Sequence, residues 1–232
     1  VKTIGLLGGM SWESTTPYYR IINQAVNERL GGLHSAKILL YSVDFHDIER
    51  LQREDRWDDA ADVLVDAGRR LETAGADLLV LCTNTMHKLA PQLEEALNIP
   101  MLHIADATAE AIREAGIGAV GLLGTRFTME QDFYRGRLAE RHGLDVLTPD
   151  EDDRTLIHDV IYHELCHGKV LDESRRRFVR IIDDLAQRGA EGVILGCTEI
   201  AMLTDGASTA VPLFDTTAIH ARKAADRALA DS

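Results

Sequence analysis

The chain has 232 residues, 45% hydrophobic and 27% charged, so it is long enough for one large domain or two small lobes and is not low in complexity or disordered. Lys and Arg number 25 against 38 Asp and Glu, a formal charge of −13, which argues against nucleic acid or an anionic membrane as partner. No apolar run approaches the roughly 18 residues needed to span a bilayer, and no secretory pattern opens the chain, so a cytoplasmic location is expected.

In chain order, short runs of Val, Ile and Leu predict strands at 3–7, 37–43, 77–82, 100–104, 118–123, 144–148, 192–196 and 210–213. Amphipathic stretches between them predict helices, the pattern of parallel sheets covered on both faces. Phe178, Ile181, Ile182 and Leu185 share one helical face. Pro17 fits the first turn of the first helix, and Gly31, Gly75, Gly116 and Gly189 fit the ends of helices.

Two segments repeat at half the chain length. Thr-Ile-Gly-Leu-Leu-Gly at 3–8 recurs as Ala-Val-Gly-Leu-Leu-Gly at 119–124, offset by 116. Gly-Ala-Asp-Leu-Leu-Val-Leu-Cys-Thr-Asn-Thr at 75–85 recurs as Gly-Ala-Glu-Gly-Val-Ile-Leu-Gly-Cys-Thr-Glu at 189–199, offset by 114. Buried strands can look alike by convergence, but two segments agreeing on nearly one offset point to two similar α/β lobes. The expected division is 1–103 plus 212–232 for the first lobe and 104–211 for the second, with a C-terminal helix returning to the first. Ligands in such sheets sit beyond the C-terminal strand ends, so the loops at 8–12, 83–87, 124–128 and 197–200 should line one cleft between the lobes.

Cys82, Cys166 and Cys197 are too few and too scattered for a disulfide framework or a paired zinc motif. The repeat pairs Thr83 with Cys197, and Cys82 with Gly196. Successive strand residues face opposite sides, so Thr83 should face as Cys197 does while Cys82 turns into its core. Cys197, between Gly196 and Thr198 on a loop, reads as a reactive thiol; Cys82 and Cys166 read as packing.

These residues resemble the cofactor-independent aspartate/glutamate racemase family over essentially the whole length. The resemblance rests on Gly-Leu-Leu-Gly-Gly-Met-Ser-Trp at 5–12, Thr-Asn-Thr at 83–85, Gly-Thr-Arg-Phe-Thr at 124–128 and Gly-Cys-Thr-Glu-Ile at 196–200. It implies two pseudo-symmetric α/β lobes, no pyridoxal phosphate, a homodimer, and two thiols flanking the Cα of a bound amino acid. This chain departs from the pattern at the first base, where Thr83 stands in place of cysteine. A hydroxyl cannot hold a standing anion as a thiol can, but it can relay a proton. The expected mechanism is asymmetric, with Cys197 as the strong base and Thr83 as the weaker partner.

Asn84, Thr85, Thr125, Thr128 and Thr198 offer neutral donors to an amino-acid carboxylate, although helix capping would also account for them. Met10, with Ser11, is a candidate cleft wall, and Gln52 and Lys169 are candidates for a distal carboxylate. Glu199 would support Cys197 or Thr198. His163-Glu164-Leu165-Cys166-His167 matches a zinc motif, but Gly168 should end that helix and the motif lies outside the expected cleft, so no metal is assigned. Gly5, Gly8 and Gly9 lack the spacing of a phosphate loop. Related thiol-cleft enzymes, of the hydantoin racemase or maleate isomerase type, and a non-catalytic amino-acid-binding module are the alternatives.

Overall fold

A computed structural model of the chain describes residues 1–230. Its compact division places Val1–His103 with the residues from His220 onward in one unit, and Ile104–Ile219 in another. The first unit holds strands β1 (Thr3–Gly8), β2 (Lys37–Ser42), β3 (Leu78–Leu81) and β4 (Met101–Leu102). Its sheet is parallel, in the order β2-β1-β3-β4. Helices α1 (Trp12–Leu30), α2 (Phe45–Arg53), α3 (Trp57–Thr73) and α4 (Ala90–Ala96) connect these strands.

The second unit opens with α5 (Ile104–Glu114), followed by β5 (Ala119–Gly124), α6 (Arg126–Glu130), α7 (Asp132–His142) and β6 (Asp145–Leu147). Helices α8 (Glu151–His163) and α9 (Asp172–Gln187), strand β7 (Gly192–Gly196), helix α10 (Thr198–Thr204) and strand β8 (Leu213–Asp215) complete it. Helix α11 (Thr216–Leu229) starts in this unit and continues into the first. The strand order is β6-β5-β7-β8, again all parallel, so the two sheets share one topology. This is the doubled parallel α/β architecture that the repeat predicts.

Strand alternation builds two core layers per unit. In the first unit Leu79 and Leu81 enter one cluster with Leu64 and Met86, while Leu78, Val80 and Cys82 enter the other with Ile22 and Ala225. In the second, Val193 and Leu195 join Phe178, Ile181, Ile182 and Leu185, while Ile194 joins Tyr134 and Phe214. Burying each large aliphatic side chain contributes about 1.5–3 kcal/mol.

Two expectations need correction. The last strand lies at 213–215 rather than 210–213, and it pairs with β7, so residues from 212 assigned to the first lobe begin in the second sheet. Pro17 is not in the first turn: α1 starts five residues earlier, where the Ser11 side chain accepts from the Ser14 N–H. The proline therefore lies inside the helix and forgoes one backbone hydrogen bond.

Candidate active site

All the candidate residues except Gln52 and Lys169 follow the C-terminal ends of the two central strands of each sheet. In the first unit, β1 and β3 run in register, Leu7 beside Leu81, and the Cys82 N–H donates to Leu7 O at 2.9 Å. Gly9 follows with φ +93°, and a Cβ there would lie 2.3 Å from Val43 O, so only glycine fits this turn. Ser11 then caps α1, its carbonyl accepting from the hydroxyls of Ser14 and Thr15 at 2.8 and 2.9 Å. Met10, between them, is buried in the core cluster that holds Met86.

Beyond β3, Cys82 is fully buried in the layer with Ile4, Leu6 and Tyr18, and that burial pushes its thiol pKa strongly up. The next residue, Thr83, follows the end of the strand, and its N–H donates back to Leu81 O at 2.9 Å. Its carbonyl accepts from His87 Nδ1 at 2.7 Å, and the His87 N–H donates to Asn84 O at 3.1 Å. His87 belongs to a short 3-10 helix, Thr85–Leu89, and packs in a tilted arrangement against His103, 4.5 Å between ring centres. Thr83, Asn84 and Thr85 are thus held close together and nearly buried. Gln52, a candidate for the distal carboxylate, is buried on α2, and its amide approaches Met86 Sδ at 2.8 Å, beside this loop.

In the second unit Gly124 of β5 pairs with Gly196 of β7, which sets Thr125 and Cys197 side by side in register. A Cβ on Gly196 would meet Leu123 O at 2.6 Å, so a side chain here would push the two strands apart. Thr125 caps α6, its Oγ1 lying 3.4 Å from the Thr128 N–H and 3.3 Å from Thr128 Oγ1. The Arg126 N–H donates to His158 Nδ1 at 3.2 Å, and burial lowers the pKa of that imidazole, with Arg126 adding to the effect. Thr198 opens α10 and accepts from Thr217 Oγ1 at 2.7 Å. These threonines cap and brace the strand-end loops on either side of the β5–β7 pair.

Cys197 is extended, with φ −149°, and half-buried. Its thiol donates to Glu199 Oε2 at 3.0 Å, and Glu199 is only 3% exposed. Burial, then the charge of Glu199, then Cys166 push the Cys197 pKa well up, because ionisation would set a thiolate beside a carboxylate in a poorly solvated pocket. The Cys166 thiol donates to the other oxygen, Glu199 Oε1, at 3.9 Å, and its pKa is also pushed up, chiefly by burial.

Cys166 packs against the core of the second unit, as expected from sequence, and its thiol also reaches Glu199. No spacing rule connects residue 166 with 197–199; the fold of α8 and its following turn makes the connection. That turn also breaks up the zinc-like motif. His163 ends α8, Leu165–His167 form a separate 3-10 turn, and Gly168 reverses the chain with φ +68°, so the two imidazoles do not share a helical face. Lys169 follows this reversal on an exposed stretch, its N–H donating to Glu164 O at 3.0 Å. Among the described residues no helix is long and apolar enough to cross a membrane.

A family model described as Asp/Glu/Hydantoin racemase matches residues 7–224. A Yersinia pestis protein provisionally described as an Asp/Glu racemase is 57% identical, with a TM-score of 0.92 and coverage of 99% of this chain and 100% of its own. An aspartate racemase homologue from Pyrococcus horikoshii is 34% identical, with a TM-score of 0.84 and coverage of 98% and 99%. The broad specificity amino-acid racemase RacX of Bacillus subtilis is 23% identical over 98% of each chain.

Proposed function

Because the chain belongs to the Asp/Glu/hydantoin racemase family, we propose that it is a cofactor-independent racemase of aspartate or glutamate, with Cys197 and Thr83 as its two proton-exchanging groups. The observation that carries this is Cys197 itself: a thiol at the end of a central strand, hydrogen-bonded at 3.0 Å to a buried carboxylate. The names of the relatives, an amino-acid racemase and an aspartate racemase homologue, favour the same substrate class.

Racemisation breaks the Cα–H bond and returns a proton to the other side of the carbanion. A thiolate suits the first step, being a strong base with little solvation to shed in a buried site. Thr83 matches Cys197 in the sequence repeat, and its hydroxyl both accepts and donates. It serves as a proton relay, with water carrying the charge that an alkoxide could not hold. Asn84, Thr85, Thr125, Thr128 and Thr198 supply polar contacts to the α-carboxylate and amino group. Met10 supplies an apolar wall, and Gln52 and Lys169 engage the side-chain carboxylate. A homodimer in the cytoplasm completes the proposal.

Two enantiomers have equal free energies, so the unequal pair cannot drive the reaction one way. It can split turnover number and Michaelis constant unevenly between the directions while their ratio stays the same. Incubating L-aspartate and L-glutamate separately in deuterated water tests the assignment: the Cα proton should be replaced as optical rotation decays. Exchange with a change of connectivity would indicate an isomerase or hydrolase instead. Thermal stabilisation by the amino acid with no exchange would indicate a binding module.

A further inference from the structure

We propose that His158 of α8 is a positioning residue for the turn at 125–128: its neutral imidazole accepts the first N–H of α6, and protonation of that ring releases the turn and weakens substrate binding in acid. The proposal rests on the reading above that Thr125 and Thr128 contact the substrate. Its basis is a hydrogen bond whose direction chemistry fixes. The Arg126 N–H can only donate, so Nδ1 of His158, 3.2 Å away, carries a lone pair and the ring proton sits on Nε2.

Helix α6 has five residues, too few to hold itself through its own ladder, so its place depends on how its opening N–H groups are met. Thr125 meets two of them: its side chain caps the Thr128 N–H, and its carbonyl accepts from the Met129 N–H at 3.0 Å. The Arg126 N–H is met from another element, by His158. On α8, Thr155, His158 and Tyr162 stand at i, i+3 and i+7, one helical face. The Arg126 guanidinium donates to Thr155 Oγ1 at 2.9 Å, so backbone and side chain of Arg126 are both tied to this face. The His158 ring packs against Tyr162, 4.7 Å between ring centres, and against the edge of Phe127 at 6.1 Å, which fixes its plane.

A second proton on the ring turns Nδ1 from acceptor into donor and sets a cation beside Arg126. Burial opposes that charge first, then Arg126; Asp159 on α8 favours it, His163 on α8 opposes it, and Glu130 on α6 favours it. The outcome is a ring that takes its proton only below the ordinary histidine value. Strand β5, on the inner side of α8, carries no ionisable residue. Helix α9 pairs with α8 through Arg180 and Asp153, more than one turn before His158, and His167 lies beyond the end of α8.

Nitrogen-15 NMR of histidine-labelled protein without substrate reads the tautomer, the His158 signals being identified by their loss in His158→Asn. At neutral pH the proton should be on Nε2; a proton on Nδ1 overturns the proposal whatever the activity. Two variants separate the acceptor from the packing. His158→Asn places an amide oxygen near the position of Nδ1 and takes no proton, whereas His158→Phe keeps the ring and loses the acceptor. Hydrogen exchange at the Arg126 amide should quicken about fivefold in the phenylalanine variant, the effect of one hydrogen bond, and stay within about twofold in the asparagine variant. In Cα deuterium exchange on L-aspartate and L-glutamate at about pH 7.5, KM should follow the same pattern, with kcat of both variants within about twofold of the parent. On lowering the pH to about 5, the ratio of the parent's KM to that of His158→Asn should rise about threefold or more, since only the parent can protonate. A level ratio overturns the acid release. A phenylalanine variant that matches the parent while the asparagine variant is impaired makes the ring a packing element and overturns the proposal. The expected tautomer and amide pattern without Cα exchange on either amino acid overturns the racemase reading and leaves the hold of His158 on the turn standing.

Discussion

The end of β3 and the end of β7 share one frame and carry different chemistry. Leu79 and Leu81 on one strand correspond to Val193 and Leu195 on the other, with Thr83 and Cys197 following beyond the strand ends, and in each case the two strand residues enter one core layer of their unit. What differs is the support. Thr83 is held through its backbone carbonyl by His87, whereas Cys197 is held through its side chain by Glu199. The preceding residue reverses the contrast: Cys82 finds room for a thiol in its core, while Gly196 has no space for even a methyl group. Duplication of a strand-and-loop unit thus preserves which face a residue occupies and leaves its ionisation to the loop around it.

The largest expected effect comes from removing the stronger side of this pair. Cys197→Ala should lower Cα deuterium exchange by about a thousandfold, measured by mass spectrometry on L-aspartate and L-glutamate, with the melting temperature little changed. Retention of full exchange would dismiss Cys197 as a base.

The next effect falls on the first unit alone. His220 is buried, its Nε2–H donating to Leu102 O at 2.8 Å while Nδ1 accepts from the Tyr18 hydroxyl at 2.9 Å. Burial lowers its pKa to about 4. The unfolded chain then binds more protons in acid, so the stabilisation is complete above the ordinary histidine value and is lost as pH falls through about 4. From the ordinary value of about 6.5 that loss amounts to about 3 kcal/mol. Urea unfolding at pH 4.5 and 7 should show it, and His220→Gln should flatten the dependence; an unchanged slope would mean that another group governs acid stability.

Gly196→Ala tests the crowding of the second unit. Pushing against the Leu123 carbonyl should cost about 1–3 kcal/mol of stability in thermal melts and disturb Cys197 as well. Cys82→Ala, at the matching place, should cost about 1 kcal/mol and spare exchange. Equal costs would show that the two strand ends are packed alike.

The smallest effect should come from the hydroxyl. Thr83→Val should reduce exchange by about tenfold, and Thr83→Ser by no more than about twofold, because serine keeps the relay. If valine matched the parent, Thr83 would play no part in proton transfer and the comparison would reduce to a single active strand end.

Much of this was legible in the sequence. Apolar runs bounded by turns marked all eight strands, and the two offsets announced one topology used twice, because buried strands leave an apolar signature that survives without contacts. The burial of Cys82 in its own core follows from the period of two along a strand. Pro17 does not mark the start of its helix because Ser11, six residues upstream, already caps it. The last strand was displaced because Val211 and Leu213 are both apolar, and only pairing with β7 shows where the ladder begins.

The sequence by itself determined the repeat, the faces of the strands and the unequal residues Thr83 and Cys197, all of which are properties of local order and spacing. Tertiary structure alone decided that Cys166 meets Glu199, that His87 braces Thr83 from behind, and that Gln52 is buried beside Met86. Those contacts join residues on separate elements or set a side chain's burial, and neither has a signature in linear spacing. They arise only when packing of the cores brings loops together, and it is there that the ionisation of a thiol is set.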